Sequence, residues 1–175
     1  MTFGKYIAFA LGILVWSCNS KSDAPAEPHL RPSVVKNKLQ KANTMLVRNE
    51  AYEIEHYIAR RKWEMQETGS GLRYMILKEG EGDTIRHGQR VTYAYTITLL
   101  NGNVCYDSEK DGLKTFAVGS DQIESGVLEM VQLINKGTKV KMILPSHLAF
   151  GLVGDDNKIP SRATLVYDLE IVEVK

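Results

Sequence analysis

Residues 91–102 decide the fold, and they are Val91-Thr-Tyr-Ala-Tyr-Thr-Ile-Thr-Leu-Leu-Asn-Gly102. β-Branched and aromatic residues dominate the first ten positions, which favours a β-strand. The closing pair, Asn101-Gly102, is the strongest short signal for a hairpin turn because both residue types accept positive φ. The sequence therefore predicts a long strand that turns back into an antiparallel neighbour.

Further strand patterns flank this stretch on both sides. Strands are predicted over residues 72–78, 115–118, 138–144 and 163–174, and Pro145 ends the third of them. Residues 80–83 predict a turn, and residues 126–133 suit one short helix. Strands and helices do not alternate as they do in a parallel sheet. We therefore predict an α+β domain over residues 69–175, with an antiparallel sheet wrapped on one short helix.

A helical extension is predicted in front of this domain, over residues 33–68. Ser33 is a suitable N-cap, and no glycine or proline follows until Gly69. Apolar residues recur at helical spacing, namely Leu39, Ala42, Leu46, Ile54, Ile58 and Trp63. A break near Arg48-Asn49 would divide it into two helices. The extension either packs on its own domain or, through residues 33–67, contacts a second copy or another partner.

The first 17 residues have the order of a bacterial export signal. Lys5 precedes an apolar run over residues 6–16, which is shorter than the roughly 20 residues that span a bilayer. Val15-Trp16-Ser17-Cys18 is similar to a lipobox, so Cys18 is the expected lipidation site, with residues 18–32 as a flexible tether. The expected location is the cell envelope, anchored by lipid to the outer membrane and facing the periplasm; ordinary secretion is the alternative.

Charge and cysteine content limit the function further. Removal of residues 1–17 takes away Lys5 and leaves 21 basic against 21 acidic residues. A neutral chain lacks the basic surface that nucleic-acid binding needs, so no nucleic-acid partner is expected. A lipidated Cys18 would leave Cys105 without a disulfide partner, and Cys105 is predicted to be a buried thiol.

The chemistry-bearing residues of the domain favour binding, or a reaction driven by desolvation. Residues 91–175 supply many aromatic and aliphatic side chains and no obvious nucleophile–base pair. The histidines, at 29, 56, 87 and 147, lack the spacing of metal ligands. We expect neither a metal nor a cofactor.

An ordered set of short motifs is similar to the macrolide-binding immunophilins, the FKBP-type peptidyl-prolyl cis–trans isomerases. The motifs are Tyr95, Leu99-Leu100-Asn101-Gly102, Tyr106-Asp107-Ser108, Ala149-Phe150-Gly151 and Ile159-Pro160 followed by Ala163 to Tyr167. The resemblance covers residues 72–175. The whole layout, with its lipobox and leading helix, also resembles the gliding-motility-associated lipoproteins of this family.

The resemblance implies an FKBP-like fold, isomerase activity on Xaa–Pro bonds of proline-containing polypeptides, and a set of site residues. The residues carried over as catalytic are Tyr95, Asp107, Ile123, Glu124, Phe150 and Tyr167. Those carried over as substrate-binding walls are Tyr106, Phe116, Val127 and Ile159. In this set the backbone N–H of Glu124 would anchor a substrate carbonyl, and Asp107 would orient Tyr95 or the substrate, unless it caps a turn instead.

Four of the positions depart from the family pattern. Val127 stands where the family has a tryptophan floor, and Phe150 lacks the hydroxyl of the usual tyrosine. Glu124 replaces an aliphatic residue and Lys114 an aromatic one. We therefore expect reduced isomerase activity on exported proteins. The alternative is a weakly active or inactive peptide-binding module or chaperone of a cell-envelope motility or secretion machine.

Overall fold

The computed structural model describes residues 32–175. The chain divides into two compact units, Met1–Leu39 and Gln40–Lys175, and only the start of one helix is described in the first. The helices are α1 (Pro32–Arg61), α2 (Ser108–Asp111), α3 (Ser125–Val131) and a short 3-10 helix (Ser146–Leu148). The strands are β1 (Gln66–Glu67), β2 (Arg73–Lys78), β3 (Glu81–Thr84), β4 (Arg90–Leu99), β5 (Val104–Asp107), β6 (Lys114–Ala117), β7 (Asn135–Lys136), β8 (Lys139–Leu144) and β9 (Leu165–Val174).

The strands form one large antiparallel sheet and one small antiparallel pair. The large sheet has the order β1-β2-β8-β9-β4-β5, and β3 pairs with β7 apart from it. β4 also pairs with β6, so its first half lies beside β6 and its second half beside β5. The predicted α+β class, with an antiparallel sheet and one short helix behind an N-terminal helix, is confirmed.

The two faces of the large sheet bury different helices. The main core contains Val127, Met130 and Val131 of α3 together with the inward residues of β4, β8 and β9. A second buried cluster joins Ile54 and Tyr57 of α1 to Ile143 and Val166. Because Ile143 and Val166 alternate with residues of the main core, they point to the opposite face. The sheet therefore lies between α3 and the part of α1 after Gln40.

Polar contacts fix this part of α1 to the domain. The Glu50 carboxylate accepts hydrogen bonds from the Ser146 backbone N–H at 2.6 Å, the Ser146 hydroxyl at 3.0 Å and the Thr164 hydroxyl at 2.7 Å. Arg73, a buried residue of β2, lies 3.0 Å from both Glu55 and Glu67. The contacts of Glu50 and Glu55 join α1 to the rest of the domain. The contact of Glu67 joins Arg73 to β1 at the edge of the sheet.

The boundaries of the N-terminal helix differ from the prediction. α1 begins at Pro32, where a missing backbone donor costs nothing in the first turn, and it runs without a break past Arg48-Asn49. It ends at Arg61, because Lys62 adopts a positive φ of 54°. Gln66 and Glu67 then form β1, which pairs with Tyr74 and Arg73. The last residues of the predicted helix are therefore an edge strand of the sheet.

One other local prediction was wrong, and one short helix was missed. The turn predicted over residues 80–83 is the start of β3, which pairs with Lys136 and Asn135 of β7. At Gly80 a Cβ atom would lie 2.3 Å from the Lys136 carbonyl oxygen, so the close approach of the two strands requires glycine. The helix α2 was not predicted, since four residues carry no periodic signal.

No helix within residues 32–175 is long and apolar enough to cross a membrane. The export signal, the lipidation site at Cys18 and the tether all lie outside the described residues.

Candidate active site

A cavity of about 690 Å³ opens between β6, the start of α3 and the segment that follows the 3-10 helix. This size falls within the range of small-ligand sites. Its lining residues are Tyr93, Lys114, Thr115, Phe116, Gln122, Ile123, Glu124, Ser125, Ala149 and Phe150.

Four of the residues carried over from the resemblance meet in this cavity: Phe116, Ile123, Glu124 and Phe150. They come from three different elements, β6, the turn before α3, and the turn after the 3-10 helix. Phe116 is held by pairing with Val91 of β4. Four residues from separate parts of the chain therefore meet at one cavity, which polar residues also line.

The Glu124 backbone N–H is free to bind a ligand. Glu124 lies immediately before α3, and its N–H donates to no acceptor among residues 32–175. Its carbonyl oxygen accepts from Val127 and Leu128, both at 3.0 Å. The turn thus holds Glu124 in place through its carbonyl, and the residue lines the cavity with its N–H unused.

Val127 does not line this cavity, and its role as the floor of the substrate site stays a prediction. Its side chain is 0% exposed and packs in the main core, because a valine on the inward side of α3 ends before it reaches the open space. Tyr93 lines the cavity instead. It was missed because its alternation with Val91 and Tyr95 predicts only an inward-facing core residue.

Tyr167 and Ile159 also lie in the core and do not line this cavity. Tyr167 still reaches the site through a neighbour, since its hydroxyl donates to Glu124 Oε1 at 3.0 Å. Burial, with the Glu124 carboxylate beside it, holds the pKa of the Tyr167 hydroxyl well above its ordinary value. Tyr167 is therefore a protonated donor that positions Glu124.

Tyr95 does not line the main cavity but borders a separate, smaller one that it shares with Asp107 and Ser108. Its backbone N–H donates to the Ser108 hydroxyl oxygen at 3.0 Å. Its ring lies 5.7 Å from that of Tyr93, and Lys114 Nζ lies 4.8 Å from the ring centroid. Tyr95 thus adjoins the main cavity through two residues that line it.

Asp107 caps α2, as the alternative interpretation of this carboxylate allowed. Asp107 Oδ1 accepts from the Glu109 N–H at 2.9 Å, and the Asp107 N–H donates to Asp111 Oδ2 at 3.0 Å. Burial first, and then the charges of Asp111 and Asp107, raise the pKa of Tyr95. The carboxylate thus acts on Tyr95 through its field, with no hydrogen bond to it.

Tyr106 does not line the main cavity but anchors the loop over residues 151–161. Its hydroxyl donates to Asp155 Oδ2, while Asp155 Oδ1 accepts from the N–H groups of Asn157 at 3.0 Å and Ile159 at 2.7 Å. The bond to Asp155 raises the pKa of Tyr106. Although burial alone would raise it, these hydrogen bonds lower the pKa of the Asp155 carboxyl.

Cys105 is buried, as predicted. Its Sγ lies 3.5 Å from the Lys158 carbonyl oxygen, and burial raises the pKa of the thiol. A protonated, buried thiol is a poor nucleophile, so Cys105 supports the loop rather than a reaction.

The family model of the FKBP-type peptidyl-prolyl cis-trans isomerases matches residues 82–172, which include every residue that lines the main cavity. The chain belongs to this family. The FKBP-type match begins before β4 and ends within β9, so it spans the strands that carry Tyr93, Tyr95 and Tyr167.

Bacterial members of the FKBP-type family are similar in sequence. The chain is 35% identical over 111 residues to a probable FKBP-type isomerase of Haemophilus influenzae, covering 63% of this chain and 46% of that protein. It is 35% identical over 136 residues to FkpA of Aeromonas hydrophila, covering 77% of this chain and 50% of the relative. The chain spans about half the length of these curated relatives.

The FKBP-type fold is also similar to a solved structure. The crystal structure of FkpA from Escherichia coli matches with a TM-score of 0.64 and 27% sequence identity, over 84% of this chain and 74% of that one. A match of 84% extends beyond the family model and includes part of the helical extension.

Proposed function

We propose that this chain is a peptidyl-prolyl cis–trans isomerase whose site is the cavity lined by Phe116, Ile123, Glu124 and Phe150. The single observation that carries the proposal is the convergence of these residues on one space of about 690 Å³. An apolar slot with one free backbone donor fits a proline ring and its preceding carbonyl.

The reaction needs no nucleophile and no proton transfer. Rotation about an Xaa–Pro bond must overcome a barrier of about 18–20 kcal/mol, because the amide has partial double-bond character. Twisting the amide removes its resonance and reduces the charge on its oxygen, so a site that excludes water favours the twisted form. Each ~1.4 kcal/mol of preference for that form accelerates the exchange tenfold.

The residues of the cavity divide this work among them. The rings of Phe116 and Phe150 exclude water from the bound Xaa–Pro bond, and the Glu124 N–H donates a hydrogen bond to a substrate carbonyl oxygen. Phe150 has no hydroxyl to donate to the peptide. One neutral hydrogen bond contributes about 0.5–1.5 kcal/mol, so we expect turnover lower by roughly tenfold or less than with tyrosine there.

The test is catalysed cis–trans exchange on a panel of Xaa–Pro peptides, followed by NMR. Phe150→Ala should lower kcat/KM, because it opens one wall of the cavity to water. Tyr52→Ala is the control, since Tyr52 lies exposed on α1 and away from the cavity. Equal activity of wild type and Phe150→Ala would contradict the assignment of the site.

Loss of catalysis with retained peptide binding would point to the alternative function, a peptide-docking module of a cell-envelope motility or secretion machine. Peptide titrations on the same samples measure this directly. Binding without acceleration would assign the cavity to docking.

We further propose that the substrates are exported proteins and that the chain is held at the outer membrane by lipid on Cys18, as in the gliding-motility lipoproteins it resembles. The order of charge, apolar run and cysteine over residues 1–18 supports this proposal. Labelling with a fatty-acid analogue should mark the wild-type protein and not Cys18→Ala. An unlabelled wild type would rule out the anchor.

A partner contact through residues 33–67 is also proposed. Met45 is 67% exposed and Tyr52 66% exposed on α1, and Val47 is exposed between them. Sedimentation of the wild type and of a Met45→Glu/Tyr52→Glu variant tests for self-association. A wild type that sediments as a monomer over the whole accessible concentration range would exclude a dimer.

A further inference from the structure

Tyr93 is the most deeply buried aromatic residue that lines the main cavity. Its side chain is 1% exposed, and it lines the cavity together with Phe116 and Glu124. The Phe116 ring meets it edge to face with centroids 5.9 Å apart, and the Tyr95 ring is tilted against it at 5.7 Å. The ring is thus fixed between two aromatic neighbours, with the cavity before it.

The Tyr93 hydroxyl opens into the cavity. It makes no hydrogen bond with any of the residues 32–175, although no buried side-chain N or O atom in that range lacks a partner. The hydroxyl is therefore not sealed inside the protein. Since the rest of the residue is buried and the residue lines the cavity, the cavity is the open space that the hydroxyl reaches.

The surroundings keep this hydroxyl a donor. Burial first, and then the charges of Glu124 and Tyr95, hold the pKa of Tyr93 far above neutrality. The nearest charged acceptor, Glu124, already receives the Tyr167 hydroxyl on Oε1. A neutral phenol that faces an apolar cavity without a protein partner favours an acceptor brought by the ligand.

We propose that Tyr93 is a substrate-binding residue, whose ring forms the floor under the bound proline and whose hydroxyl donates a hydrogen bond to a carbonyl oxygen of the Xaa–Pro peptide. The proposal rests on the proposed function, since the ligand is the peptide that the isomerase would turn over. It places the substrate-bonding hydroxyl of this cavity on Tyr93 of β4, since the lining residue Phe150 has no hydroxyl.

The test compares Tyr93→Phe with the wild type on the same peptides. This change keeps the ring and removes only the hydroxyl, so kcat/KM should fall by about threefold to tenfold, the effect of one neutral hydrogen bond. Tyr74→Phe is the matched control, because its hydroxyl bonds the exposed Gln66 at 2.8 Å outside the cavity. Equal kcat/KM for Tyr93→Phe and the wild type would overturn the proposal, as would equal losses in both variants.

Separate measurement of kcat and KM shows at which stage of the reaction the hydrogen bond from Tyr93 is made. A rise in KM alone means that the hydroxyl holds the planar peptide, and a fall in kcat means that it holds the twisted form; either supports the proposal. Thermal unfolding should be nearly unchanged in Tyr93→Phe, because the hydroxyl stabilises no other residue of the described chain.

A second measurement does not depend on any variant. In the wild type, nuclear Overhauser effects should connect the Tyr93 ring protons with the ring protons of the bound proline, and their absence from a saturated complex would overturn the proposal. If the wild type binds peptides without accelerating their exchange, the proposed isomerase function is contradicted, but the proposed role of Tyr93 in binding is not. The dissociation constant of the peptide complex of Tyr93→Phe then tests this inference. A constant higher than that of the wild type supports it, and an unchanged constant overturns it.

Discussion

The hydroxyl of Tyr167 and the carboxylate of Glu124 form a side-chain hydrogen bond between the buried strand β9 and the wall of the cavity. Tyr167 is almost fully buried, whereas Glu124 is half-buried and lines the cavity. Through this bond Tyr167, which has no access to substrate, fixes the side chain of Glu124, which lines the cavity.

Tyr167→Phe should therefore lower both stability and turnover. Loss of a hydrogen bond to a carboxylate that can partly regain water costs about 1–2 kcal/mol of unfolding free energy. Urea denaturation at unchanged slope measures the loss, with Tyr74→Phe as the exposed counterpart. Equal losses in the two variants would contradict the importance of this link.

Asp155 gives the loop over residues 151–161 a dependence on pH. The folded state lowers the pKa of this carboxyl below its ordinary 3.8, so its contribution to stability is present above that value. The contribution disappears as the pH falls through the lower, folded pKa. The N–H resonances of Asn157 and Ile159, which both donate to Asp155, should titrate with a midpoint below 3.8.

Asp155→Asn is the control for this titration, because the amide keeps an acceptor oxygen and has no proton to gain. The acid transition of the two resonances should vanish in it. A midpoint above 3.8 in the wild type would contradict the stabilised carboxylate.

Single residues show both the reach and the limit of sequence reasoning. Phe116, Ile123, Glu124 and Phe150 could be placed in one cavity because their motifs keep a family order. The floor could not be placed, because the direction of Val127 depends on how α3 lies on the sheet. Tyr93 was not predicted as a site residue, because the alternating pattern of β4 is the same for a side chain that faces the core and for one that faces a cavity.

At the scale of elements, α3 is held unusually close to the sheet. A Cβ atom at Gly126 would lie 2.8 Å from Leu144 Cγ and 3.2 Å from Leu148 Cβ. Leu144 is fully buried in β8, so its side chain can make space only by displacing its neighbours in the core. The absence of a side chain at Gly126 thus sets the distance between α3 and β8.

Gly126→Ala should push the first turn of α3 away from β8. Overpacking of this kind costs about 1–3 kcal/mol, and the displaced turn carries Ile123 and Glu124 out of the cavity wall, so kcat/KM should fall as well. Gly69→Ala is the control, because no atom lies within 4 Å of a Cβ there. A Gly126→Ala variant as stable as Gly69→Ala would show that Leu144 moves freely.

The elements that sequence placed well are those with a long, regular pattern. β4 and β8 were predicted within one residue of their observed bounds, because alternation and turn residues mark them clearly. β1, β3 and β7 have two to four residues each, and they form because a partner strand happens to lie beside them. Such pairing has no signature within the segment itself.

For the whole molecule, α1 is a structural part of the domain from Gln40 onward. Ile54 is 0% exposed and packs with Tyr57 on Ile143 and Val166. Deleting residues 33–67 would therefore uncover one face of the sheet, so such a deletion cannot serve as a neutral test of oligomeric state.

Ile54→Ala should destabilise the entire domain by about 2–5 kcal/mol, the usual cost of emptying a buried aliphatic site. Met45→Ala, on the same helix but exposed, should change stability by no more than about 0.5 kcal/mol. Chemical denaturation followed at Trp63, which packs against the same cluster, measures both. Similar midpoints for the two variants would mean that α1 does not fold with the sheet.

The three hydrogen bonds of Glu50 have a consequence for the order of synthesis. They join this residue to positions 96 and 114 residues later in the chain. A ribosome makes α1 first, yet the full set of donors to the Glu50 carboxylate exists only after Thr164 has been added. Contacts of such long sequence separation form late and slowly. The nascent chain therefore carries an undocked helix and an uncovered sheet face until Thr164 and β9 have been made. This protein, itself proposed to assist slow folding, thus depends on contacts between distant parts of its own chain to complete its fold.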